Sequence, residues 1–268
     1  MSFKFNSQAT SFDPTNALRL AEASQLAYKN EQEINDFVAQ QWGLASCKFF
    51  EVLDTQAFII SNNETIILAF RGTEQANIRD WKTNLTTRKV ASRVGKVHEG
   101  FAMALNRIWK KVEATVVDLR KNKQTLWVTG HSLGGALATL AVDRFTDNNM
   151  EVSGLYTFGQ PRVGDKEFAQ NFDAKFGAKT FRLVNNEDVV PRVPLGYQGY
   201  QHVGQMVYFD SKGQSYRNIH WFLKFMDRAL SKVNRFFIKD KIENVDLGND
   251  VQDHDLAKYI DLVRKSSV

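Results

Sequence analysis

The sequence predicts an α/β fold, with a mainly parallel central sheet and helices on both faces. Three observations carry this. Strand-like and helix-like stretches alternate along the middle of the chain. One stretch, TIILAF at 65–70, is apolar at every position after Thr65, the pattern of a strand covered on both sides. And TLWVTG at 125–130 passes straight into the alanine- and leucine-rich ALATLAVDRF through a turn rich in small residues.

In chain order, Asp13-Pro14 marks a helix start, because proline is tolerated in the first turn and an aspartate can cap it. NALRLAEASQLAYKN follows with apolar residues at helical spacing, and a second short helix is expected near 31–41. CKFFEVL, AFIIS and TIILAF read as strands. EGFAMALNRIWKKVEATVVDLRKN reads as a long amphipathic helix. TLWVTG is a strand, ALATLAVDRF a helix, VSGLYTFG a strand, DKEFAQNFDAKF a helix and KTFRLVN a strand. With no repeat, low-complexity tract or clear linker, residues 1–268 are expected to form a single domain.

Composition narrows the function classes. At 268 residues and 43% hydrophobic, the chain can bury a sizeable core. A net charge of +5 is modest, and no nucleic-acid motif accompanies it, so no nucleic-acid partner is expected. No apolar run reaches the roughly 18 residues of a membrane span. The single cysteine, Cys47, cannot form an internal disulfide, which mildly favours a reducing compartment. The first residues show no basic-then-apolar leader, so localisation is left open between cytoplasm and export by another route. Histidines are few and Cys47 is isolated, so neither a metal nor a cofactor is expected. Oligomeric state is not legible.

Gly130, His131, Ser132, Leu133 and Gly134 spell G-x-S-x-G between a strand and a helix. Such a turn holds Ser132 at its tip in a strained conformation, with the free N–H groups of the following helix nearby. A nucleophilic serine needs a base and an acid, expected in the order Ser, acid, His. Three histidines follow: His202, His220 and His254. His254 stands just before a stretch with apolar Leu256, Tyr259, Ile260 and Val263, and spacing prefers it, with His202 and His220 as rivals. His98 and His131 are second choices; His131 is read as packing under the site. The acid follows the strand ending near Asn185, where Asp188 is favoured and Glu187 competes.

Five stretches in order, LAFRGT at 68–73, KVHEGF at 96–101, VTGHSLGGALATL at 128–140, YTFGQPRVGD at 156–165 and RLVNNEDVVPRVP at 182–194, resemble the class 3, fungal-type lipases. The resemblance implies an α/β-hydrolase fold with a short helical lid, and a triad of Ser132, Asp188 and His254. It selects Asp188 over Glu187 through the N-x-x-D-x-V-P pattern. Tyr259, shortly after His254, matches a tyrosine of the family. The resemblance also implies that the oxyanion is held by Thr73, just after the Arg-Gly pair, and by the N–H of Leu133. Fungal members commonly carry disulfides and a leader, so the chain is expected to be a bacterial relative.

Residues 74–85 put Ile78, Trp81 and Leu85 on one helical face, and in the family this position carries the lid. The stretch 219–239 is amphipathic and basic; residues 212–241 hold eight basic and two acidic side chains. It is expected to be a core-packed helix with a solvated basic face, and contact with anionic lipid headgroups is the sharper alternative. The function implied is triacylglycerol lipase activity on a lipid ester. Phospholipase A and short-chain or feruloyl-type esterase activities are the neighbouring readings. A catalytically inactive hydrolase fold that binds lipid is the reading from a different class.

Overall fold

The protein is described by a computed structural model for residues 3–44, 46–74, 87–186, 188–210, 212–217 and 254–266. The expected lid residues Ile78, Trp81 and Leu85, the basic stretch 219–239, His220 and Glu187 lie outside the described residues.

The chain begins with helix α1 (Pro14–Leu26), capped by the Asp13 carboxylate, which accepts from the Asn16 N–H at 3.0 Å. Helix α2 (Glu31–Phe37) follows a capping box made by Asn30 and Glu33. Three antiparallel neighbours come next: β1 (Ser46–Val52), β2 (Thr55–Ser61) and β3 (Thr65–Phe70). A small hairpin, β4 (Lys89–Ala91) and β5 (Lys96–His98), precedes the long helix α3 (Glu99–Leu119). Then β6 (Thr125–His131), α4 (Leu133–Asp147), β7 (Gly154–Phe158), α5 (Lys166–Phe176) and β8 (Thr180–Asn185) alternate. Strands β9 (Gln205–Phe209) and β10 (Ser215–Arg217) follow, and α6 (Leu256–Ser266) closes the described chain.

Among the described residues the main sheet has the order β1-β2-β3-β6-β7-β8-β9-β10. Its central pairs, β3 to β6, β6 to β7, β7 to β8 and β8 to β9, are parallel, and its two margins are antiparallel. Parallel neighbours need crossover helices, and a sheet with helices on both faces must be apolar on both. The residues obey this. Ile66, Leu68 and Phe70 of β3, with Leu126 and Val128 of β6, face a core shared with Leu105 and Ile108 of α3 and Leu137 and Ala141 of α4. Ile67 and Ala69 of β3, with Trp127 of β6 and Tyr156 and Phe158 of β7, face the opposite core. That second core is closed by Leu20 of α1 and by Tyr259 and Val263 of α6. The period of two along each strand therefore divides its side chains between two layers of helices.

This is the α/β-hydrolase arrangement, and it brings the carboxyl ends of β3, β6, β7 and β8 to one edge. In open α/β sheets that edge is where ligand and catalytic groups gather.

Candidate active site

Strand β6 runs into α4 with one residue between them, Ser132. Its backbone has φ 56° and ψ −128°, a conformation that costs a residue with a side chain on the order of 1–3 kcal/mol. The turn is tight enough that a Cβ at Gly130 would lie 2.3 Å from the Gly134 carbonyl, and one at Gly134 would lie 2.2 Å from the Phe70 carbonyl. Only glycine fits at either place. The Ser132 N–H donates to the Phe158 carbonyl at 2.9 Å, tying the turn to the end of β7.

His254 lies just before α6. It is fully buried, and its Nδ1 pairs with Oδ2 of Asp188 at 2.7 Å. Asp188 follows β8 in the chain and is itself 1% exposed. Its carboxylate takes two further donors: the Val190 N–H reaches Oδ1 at 2.8 Å and the Tyr259 hydroxyl reaches Oδ2 at 2.5 Å. A carboxylate so held accepts rather than donates, so Nδ1 of His254 carries the proton and Nε2 is left with a free lone pair.

Ser132 Oγ and His254 Nε2 are both buried, and neither has a hydrogen-bond partner among the described residues. The link between them is not closed in this structure; contacts of this kind often tighten only when the reacting group arrives. Gly159, at φ 58° just after β7, supports the assembly: a Cβ there would lie 2.7 Å from both Asp188 Oδ2 and His254 Cε1.

The expected oxyanion donors border the serine. Leu133 is the first residue of α4, where N–H groups have no partner within the helix. Thr73 follows Gly72, and a Cβ on Gly72 would lie 3.1 Å from Ser132 Cβ, so the segment after β3 runs against the nucleophile turn. The Thr73 side chain is half-buried.

Among the described residues, His202 and His98 are engaged elsewhere. His202 donates from Nε2 to the Pro191 carbonyl at 2.8 Å, and burial, then the Arg182 and Arg162 charges, holds its pKa well below the usual histidine value. His98 caps α3, accepting from the Phe101 N–H, and its ring stacks on Phe101. His131 is buried beside His254, its ring 4.4 Å away. Spacing gave no sign of Tyr28, whose hydroxyl lies 2.8 Å from His131 Nδ1, nor of the part Gly159 plays. The nearest signal for Gly159 was its place at the end of an apolar strand, before Gln160-Pro161.

Among the described residues no group of three or more His, Cys, Asp or Glu is placed to hold a metal ion. A buried imidazole hydrogen-bonded to a carboxylate, and a serine on a strained turn at the same sheet edge, form a set of groups that can transfer an acyl group through the serine.

Known proteins point the same way. The family model for Lipase (class 3) matches residues 67–198. A lipase of Rhizomucor miehei is 38% identical over 165 residues, covering 58% of this chain and 45% of that protein. Triacylglycerol lipase OBL1 of Arabidopsis thaliana is 29% identical over 248 residues, covering 70% of this chain and 48% of that protein. The chain thus spans about half the length of these two relatives. Among solved structures, the native Rhizomucor miehei lipase propeptide complex matches with a TM-score of 0.62 at 30% identity, over 75% of this chain and 70% of that one. These relatives are fungal and plant proteins, so the expectation of a bacterial relative is not borne out.

Proposed function

Because the chain belongs to the class 3 lipase family, we propose that it is a serine ester hydrolase acting on acylglycerols, with residues 1–268 forming one hydrolase domain. The observation that carries this reading is the buried, hydrogen-bonded Asp188–His254 pair packed on Gly159, with Ser132 on a strained strand-to-helix turn tied to the neighbouring Phe158 carbonyl.

The chemistry follows from the proton positions. His254 Nε2 takes the proton from Ser132 Oγ as the oxygen attacks the ester carbonyl carbon. Asp188 stays ionised; it holds the ring and stabilises the imidazolium that forms. The carbonyl oxygen becomes an oxyanion, met by the N–H groups of Leu133 and Thr73, each such donor worth about 3 kcal/mol to the transition state. The intermediate collapses, the alcohol leaves with the proton from His254, and an acyl-serine remains. Water, deprotonated by His254, attacks that ester, and the fatty acid departs as Ser132 recovers its proton. Every step uses side chains, backbone amides and water.

Ser132 and His254 have no exposed surface, so an ester can reach them only after the site opens. A lid that opens at a lipid surface is the proposal that fits this burial. Exposing apolar side chains is unfavourable in water and favourable against oil. The segment read as the lid lies outside the described residues. Contact with a lipid surface is proposed with it.

The test is a substrate panel: tri-, di- and monoglycerides, phospholipids, and short-chain and feruloyl esters, each with the wild type and with Ser132→Ala. Turnover strongest on a glyceride and abolished in the variant is the expected result. A stronger rate on phospholipid or on aryl esters replaces the substrate class. No turnover of any ester leaves the lipid-binding module.

A further inference from the structure

His131 and Tyr28 remain unused by the chemistry above, yet both sit against it. His131 is 2% exposed and lies between two partners. Its Nε2 is 2.8 Å from the backbone carbonyl of His254, and its Nδ1 is 2.8 Å from the hydroxyl of Tyr28. These partners fix the protons. A carbonyl can only accept, so Nε2 carries the hydrogen; the neutral ring then accepts at Nδ1, and Tyr28 must donate. Burial, then the neighbouring His254, depresses the pKa of His131 well below the ordinary histidine value, so the ring stays neutral.

The strut reaches further at each end. Tyr28 stands in the last turn after α1, and its N–H bonds to the Gln25 carbonyl. Its hydroxyl faces the segment after β3: a Cβ on Gly72 would lie 2.3 Å from it. The Gly72 amide and the Arg71 guanidinium, 5.9 Å from the ring centre, both act on the same phenol. At the other end, His254 begins the approach to α6, where its carbonyl is taken by His131 and its ring by Asp188. Two bonds to one residue, one from the backbone and one from the side chain, define where the ring points.

We propose that Tyr28 and His131 are positioning residues for the hydrolytic reaction: a hydrogen-bonded strut from the oxyanion segment to the carbonyl of His254, holding Nε2 in line with Ser132. The inference rests on the serine hydrolase reading. The strut acts on geometry through His254 and touches no substrate, so its loss lowers kcat and leaves KM nearly unchanged. The neutral ring of His131, tilted 32° to that of His254, also lets His254 become an imidazolium without a second charged imidazole beside it.

The experiment compares Tyr28→Phe, His131→Leu, His131→Gln and the Tyr28→Phe/His131→Leu double variant with the wild type, on one soluble ester, with thermal melting as the check on folding. Tyr28→Phe removes one oxygen and is expected to lower kcat about 10-fold, since small misplacements of a catalytic group are costly. His131→Leu is expected to cost more, and the double variant no more than His131→Leu alone, because both cut one strut. His131→Gln, whose amide can still donate to the His254 carbonyl, is expected to recover most of the lost kcat. Wild-type kcat in both Tyr28→Phe and His131→Leu overturns the strut; should His131→Leu fail to fold, wild-type kcat in Tyr28→Phe overturns it alone. A loss carried by KM, or no recovery in a folded His131→Gln, overturns it as well. Failure of the underlying reading looks different: ester turnover would then survive Ser132→Ala or be missing from the wild type.

Discussion

The hydroxyl of Tyr259 donates a 2.5 Å hydrogen bond to Oδ2 of Asp188, 71 residues earlier in the chain. The same hydroxyl accepts from the Asn185 N–H at 3.1 Å, so one buried phenol anchors the end of β8 and the acid beyond it. Hydrogen bonds to charged groups contribute about 1.5–3 kcal/mol each. Tyr259→Phe is expected to lower stability by about 2 kcal/mol and kcat by about 10-fold, with KM little changed. Chemical unfolding and steady-state kinetics on a soluble ester check both; an unaltered kcat in the folded variant would show that Asp188 holds its place without the phenol.

Gly159 supports the same pair from below. At φ 58°, a methyl there would press to 2.7 Å against Asp188 Oδ2 and His254 Cε1. Gly159→Ala is expected to cost about 1–3 kcal/mol of stability and more than about 100-fold in kcat. Near wild-type turnover in a folded Gly159→Ala variant would mean the pair can shift without losing its alignment.

Asp143 of α4 is buried, and burial, then the charge of Asp147, raises its pKa from the ordinary 3.8 to about 6. Between those values the unfolded chain has released a proton that the folded chain still holds. Stability attributable to this group therefore falls as pH rises from about 4 to about 6, and the penalty persists above. Asp143→Asn is expected to raise stability by about 1–3 kcal/mol at pH 8 and by little at pH 3.5. Unfolding curves at the two pH values decide it, and equal gains at both would rule out the titration as the cause.

Full burial of Ser132 and His254 bears on substrate form. The rate per enzyme is expected to rise as a partly soluble glyceride passes its solubility limit, measured by titration of released acid. A rate that follows only the dissolved concentration would remove the opening step.

The sequence made the elbow legible because three local signals agree there: an apolar strand, small residues on either side of Ser132, and an alanine-rich helix. The central strands were legible for a similar reason, since TIILAF is apolar on both faces and β3 is covered on both. The β4–β5 hairpin was not, because its three-residue strands carry Lys89 and Lys96 and too few residues to show a period. Spacing preferred His254 but left His202 and His220 as rivals, as chain distance says nothing about spatial distance; the structure gives His202 to the Pro191 carbonyl and His254 to Asp188. Tyr28 was invisible because its role depends on a contact 103 residues away, with His131, and nothing in its local sequence differs from an ordinary helix end.

The central claim is that Ser132 is activated by His254. It is tested most directly by the labelling rate of a fluorophosphonate, with the modified residue located by peptide mass mapping, in the wild type and in folded His254→Ala. The expected result is a single adduct on Ser132, formed at least about 1000-fold more slowly in the variant. No adduct on Ser132, or equal rates in the two proteins, would contradict it.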